Sequence, residues 1–93
     1  MDRLTKKGIR TAMISEAEKK SLKIGFKEVM NIISENRAVR VIIADDCEDK
    51  IKIPVSQAAK AAGLQPELCE NMRMLGKMSG IDVGASCAAV VKS

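Results

Sequence analysis

Apolar residues recur along this chain with two spacings. Phe26, Val29, Met30 and Ile33 stand at i, i+3, i+4 and i+7, the stripe of a helix that Gly25 opens and Asn36 stops. Val39 to Ala44 is nearly continuous and β-branched, interrupted by Arg40, and reads as a strand covered on both faces. Val55, Ala58, Ala59 and Ala62 then form the inner face of another helix, with Pro54 in its first turn and Gly63 at its end. Asn71 caps a further helix that carries Met72 and Leu75 and stops at Gly80. Ala85 to Val91 is a last strand of small and β-branched residues.

Weaker signals fill the gaps. Ser15 caps a short helix through about Ser21, with Glu16 and Glu18 in its first turn. Leu22-Lys23-Ile24 reads as an extended link, and Gln65 to Cys69 as a short strand. Asp45, Asp46, Glu48 and Asp49 form an acidic loop. Residues 1–14 show no firm period and form a basic arm, which leaves 15–93 as one domain. Helices alternating with strands predict an α/β fold, with helices on both faces of a small mixed sheet.

Composition makes the core aliphatic: apolar residues are 46%, with one Phe and no Tyr or Trp. No apolar run reaches the length of a transmembrane helix. The basic N-terminus lacks the apolar centre of a secretion signal, so a cytoplasmic protein without membrane contact is expected. Cys47, Cys69 and Cys87 are widely spaced and there is no His, so they read as core thiols and not as metal ligands.

Charge is uneven. Residues 1–27 carry eight Lys or Arg against Asp2, Glu16 and Glu18, whereas the rest carries eight against nine. Such asymmetry suits a polyanion on one face, or a solvated tail.

Catalytic patterns are missing. A P-loop fails because Met78 follows Gly76-Lys77 and Asn71 stands where its first Gly belongs. Asp45 and Asp46 could hold a divalent ion for a hydrolase, but the acidic loop lacks the glycine and ligand spacing of a calcium loop. No cofactor, metal or enzymatic activity is expected. With Phe26 assigned to the core stripe, no base-stacking platform is expected either. RNA would have to be read as a folded shape, by polar and aliphatic groups.

Several blocks together carry a resemblance. They are Gly25-Phe26-Lys27-Glu28, the strand ending Val41-Ile42-Ile43-Ala44-Asp45-Asp46, and Met72-Arg73-Met74-Leu75-Gly76-Lys77. Gly80-Ile81-Asp82-Val83-Gly84-Ala85 and the small-residue strand complete the set. From about Ser21 to Val91 the chain resembles the kink-turn-binding ribosomal proteins of the L-seven-Ae and L-thirty-e type, short bacterial members above all. The resemblance implies a three-layer α/β/α sandwich around a four-stranded mixed sheet. It also implies a non-enzymatic RNA-binding protein, associated with ribosomal or other non-coding RNA; no obligate interface is legible in the sequence, so a monomer is expected.

The RNA surface so implied comprises Lys23, Gly25, Phe26, Lys27, Glu28, Asn31, Asp46, Lys77, Ile81, Asp82, Val83, Gly84 and Ala85. A kink-turn contains sheared G·A pairs whose guanine leaves its Watson–Crick edge free. Glu28 would accept from that edge, while Lys27 would donate to O6 or phosphate. Gly25 would let the backbone approach. Ile81 and Val83 would rest against a splayed base, or instead anchor the loop in the core. Departures from the family pattern are Lys27 for the Asn of archaeal and eukaryotic members, Asn31 for a Lys, and Phe26 for a small residue. The alternative is a protein–protein interaction module on the same fold, without specific RNA binding.

Overall fold

The computed structural model describes residues 14–92. They form helices α1 (Glu16–Lys19), α2 (Phe26–Ser34), α3 (Asp49–Ala61) and α4 (Met72–Met78). The strands are β1 (Leu22–Ile24), β2 (Ala38–Ala44), β3 (Glu67–Cys69) and β4 (Cys87–Val91). The basic arm lies outside the described residues except for Ile14, which packs against the core.

The sheet order is β1-β4-β2-β3. β4 runs antiparallel to both β1 and β2, while β3 joins β2 in parallel. Helices α2 and α3 pack on each other and on the sheet, and α4 packs on β2, β3 and β4. Covering both faces explains why every residue of β4, and Val41 to Ala44 of β2, is buried. The expected α/β/α sandwich around a four-stranded mixed sheet is the fold observed.

Several local expectations need correction. The segment 22–24 is a true strand: Leu22, Lys23 and Ile24 pair with Val90, Ala89 and Ala88. Three residues are too few for a period, so only the partner identifies them. The third helix starts at Asp49, which puts Pro54 in its interior and not in its first turn. Ala62 is its exposed C-terminal cap, not part of the inner face, which is carried by Val55 and Ala59.

The stripe of α2 is Val29, Ile32 and Ile33, with Met30 partly buried. Phe26 stands outside it, 37% exposed. It is the first residue of the helix, ahead of the turns that dock on the sheet. In β2, Val39 is exposed and Arg40 half-buried, so double coverage begins only at Val41. The β3 and β4 signals were right but long, since pairing begins at Glu67 and Cys87.

Arg40 has a physical account. Its Nε and Nη2 donate to the two carboxylate oxygens of Glu67 at 2.8 and 2.5 Å, and its Nη1 donates to Glu18 at 2.8 Å. Glu18 also closes a capping box with Ser15. A charged residue in a mostly covered strand is therefore satisfied by paired carboxylates, and it fastens α1 to β2 and β3.

Candidate nucleic-acid interface

The site is built where β4 begins. Gly25 takes φ 108°, a region that side chains resist, and its amide donates to the Cys87 carbonyl at 3.1 Å. This bond fixes the start of α2 against the first residue of β4. Gly25 contributes no capping side chain. The amides of the first turn, at Phe26, Lys27 and Glu28, are therefore left for an external acceptor. Phe26, Lys27, Glu28 and Asn31 are all exposed. Among the described residues, neither Lys27 nor Glu28 is in an ion pair.

The loop entering β4 is held flat against α4 by glycines. Ile81 N donates to the Gly76 carbonyl at 3.0 Å, and Ala85 N donates to the Met72 carbonyl at 3.0 Å. Gly76 is buried, and a Cβ on it would overlap the Val83 carbonyl oxygen. A Cβ on Gly84 would come within 3.3 Å of the Met72 backbone. With the backbone this close to the helix, the loop side chains divide. Ile81 is half-buried against the core, Asp82 faces solvent, and Val83 is 69% exposed. Ile81 thus anchors the loop, as one of the two expectations had it, and Val83 is its exposed tip.

Between α4 and this loop lies a groove of about 630 Å³, lined by Asp46, Met72, Arg73, Lys77, Ile81, Asp82, Val83 and Gly84. Arg73 and Lys77 lie one turn apart on α4 and face the groove together with two carboxylates. One of these is Asp46, whose Oδ1 accepts the Met72 amide at 2.8 Å. Asn71 Oδ1 accepts the Met74 amide at 2.7 Å, so α4 is capped twice.

Six of the thirteen expected residues therefore line the groove: Asp46, Lys77, Ile81, Asp82, Val83 and Gly84. Ala85 is buried behind it. Gly25, Phe26, Lys27, Glu28 and Asn31 belong to α2 and its cap and do not line the groove. They reach the site through the bond to Cys87, two residues beyond Ala85. Lys23 is exposed on β1, opposite Ala89, and is not a groove residue. Met72 and Arg73 were absent from the expected site. The signal for Arg73 is its four-residue spacing from Lys77, which puts two cations on one helical face; Met72 has no such signal.

The three thiols are free and buried near this end of the sheet. Burial raises the pKa of each. No cluster of metal-ligating side chains occurs among the described residues, and no described helix is long and apolar enough to cross a membrane.

Comparison with known proteins gives a consistent picture. The ribosomal protein L7Ae/L30e/S12e/Gadd45 family matches residues 7–93. An RNA-binding protein of Geobacillus sp. (strain WCH70) is 33% identical over 69 residues, spanning 74% of this chain and 84% of the relative. The RNA-binding protein YbxF of Geobacillus stearothermophilus matches equally, 33% over 69 residues with the same coverage of 74% and 84%. Among solved structures, the Giardia lamblia 15.5kD RNA-binding protein superposes with a TM-score of 0.69 at 25% identity, covering 80% of this chain and 62% of that one. A protein of unknown function from Bacillus halodurans shares the fold, with a TM-score of 0.73 at 18% identity over 80% of this chain and 74% of its own.

Proposed function

Because the chain belongs to the ribosomal protein L7Ae/L30e/S12e/Gadd45 family, we propose that it is a non-enzymatic RNA-binding protein that recognises kink-turn-like structured RNA. The supporting observation is the Gly25–Cys87 hydrogen bond, which sets the open start of α2 beside the loop that ends in β4. Its Geobacillus relatives are RNA-binding proteins, which agrees with RNA as the ligand.

Each group has a role suited to that ligand. The Glu28 carboxylate accepts from the exposed edge of a sheared guanine. Lys27 and the first-turn amides of α2 hold a phosphate or the guanine O6. Val83, at the exposed tip, supports an unstacked base, while Ile81 keeps the loop in place. Arg73 and Lys77 neutralise phosphates along the groove. The RNA is a ribosomal or other non-coding RNA in the cytoplasm, and the protein acts as a monomer.

A calorimetric titration with a kink-turn RNA, against a duplex of equal length lacking the G·A pairs, tests the proposal. Clear preference for the kink-turn is expected. Equal affinity for the two would remove the specificity. The interaction-module reading draws on the carboxylates of Asp46 and Asp82 in the groove. Asp46 already uses an oxygen to cap α4, which weakens that reading.

A further inference from the structure

We infer that Phe26 is a base-stacking residue of this interface, giving it a preference for RNA that presents an unpaired nucleobase beside the start of α2. The inference rests on the RNA-binding reading and adds to it a contact of a different chemical kind.

An aromatic side chain is the largest apolar unit a small core can use. This chain has one aromatic residue, Phe26, and the fold leaves 37% of it exposed at the first position of α2. Phe26 is neither in the core cluster nor among the half-buried apolar residues packed on it. A lone exposed apolar residue is ordinary on a protein surface. The placement of this one is not. Of the five large apolar residues exposed among those described, Phe26, Met72 and Val83 belong to the segments that meet at the start of β4. Three of the five thus lie on the segments that make up the proposed interface.

The immediate surroundings of Phe26 suit a nucleotide. Gly25 before it has nothing within 4 Å of where a Cβ would stand, so the backbone entering α2 is open to a ligand. Lys27 and Glu28 after it are exposed and outside any described ion pair. A ring face, a cation, a carboxylate and the unshared amides of a helix start thus stand within one turn. Unpaired bases stack on aromatic faces with little regard to sequence, because every base has a π-face. The ring therefore selects an unstacked base over a continuous duplex, while Glu28 selects guanine.

The test uses the full chain and a kink-turn RNA in which one unpaired nucleotide at a time is replaced by a fluorescent purine analogue or by an abasic site. Wild type and Phe26→Tyr should quench the analogue at one position, and Phe26→Leu should not. Phe26→Ala should weaken binding to the intact RNA by about five- to 150-fold, the usual range for one stacked base. The abasic site at the quenched position should abolish that difference. If Phe26→Ala lowers the melting temperature, the Leu variant supplies the affinity comparison. Quenching and affinity unchanged in Phe26→Leu would overturn the stacking role. So would an equal loss on intact and abasic RNA. A wild-type protein that prefers kink-turn over duplex, with indifferent Phe26 variants, overturns this inference alone. No preference in the wild type overturns the functional proposal as well.

Discussion

The carbonyl oxygen of Val83 occupies the space where a side chain on Gly76 would begin. The closeness of loop and helix follows from this one missing atom. Gly76→Ala should force the loop off α4 and break the hydrogen bond from Ile81 to the Gly76 carbonyl. Overpacking of this kind costs about 1–3 kcal/mol. Urea denaturation should show that loss, and RNA affinity should fall with it. A variant of unchanged stability and affinity would mean that the loop does not need its observed position.

Glu28 and Lys27 should be separable by salt. Glu28→Ala should weaken kink-turn binding by about 1–3 kcal/mol, the scale of a lost bidentate base contact. Its affinity should fall with salt as steeply as that of wild type, because a carboxylate displaces no counterion. Lys27→Ala should reduce the slope by roughly one ion if its partner is a phosphate. Titrations at several salt concentrations read both effects. Parallel lines of equal height for all three proteins would remove the helix start from the interface.

Ile81 and Val83 stand two positions apart in the sequence and differ by a large step in exposure. Val83→Asp should keep the wild-type melting temperature, since surface changes usually stay within about 0.5 kcal/mol. It should nevertheless lose specific RNA binding. Ile81→Asp should destabilise the fold by several times that amount, because its charge would enter a half-buried apolar site. Melting curves and titrations on both variants check the division. Similar melting temperatures in the two would erase the distinction between tip and anchor.

Acid should loosen α1. The Ser15 amide and the Arg40 guanidinium hold the Glu18 carboxyl below its ordinary value of 4.5. A depressed carboxyl contributes its stability fully above the unfolded value and loses it as pH falls through the lower folded one. Wild-type stability should therefore drop faster than that of Glu18→Gln as pH falls below about 4.5. Denaturation midpoints measured at neutral pH and at successive acidic values give the comparison. Identical pH dependence would show that this carboxylate makes no net contribution to holding α1.

Much of the fold was legible because its signals are local. Gly25, Asn71 and Gly80 mark helix ends by backbone chemistry alone, and Val41 to Ile43 can hardly be other than a covered strand. What escaped depended on partners. Leu22–Ile24 has no pattern of its own and becomes a strand only by pairing with β4. Pro54 suited a helix start, yet the helix extends back to Asp49 and tolerates the proline inside. Phe26 fits the helical period of the stripe, but a period fixes an angle around the axis, not how far along it the helix docks.

The same holds for the site. Its glycines and its β-branched tip were visible in the sequence, while Arg73 and the capping role of Asp46 required the groove between α4 and the loop. No pattern in the sequence reports that an aspartate will meet a helix start 26 residues away.

Strand order has a consequence in time. β4 is the last described strand along the chain, yet it lies between β1 and β2 in the sheet. On a growing polypeptide, β1 and β2 have no shared partner until Cys87 to Val91 have left the ribosome. Gly25 likewise lacks the carbonyl that positions it until Cys87 arrives. A nascent chain halted before β4 can form its helices and pair β2 with β3, but it holds neither the central strand nor the joined halves of the interface. Closure of the sheet and the joining of the two halves of the proposed interface thus both await the same five residues.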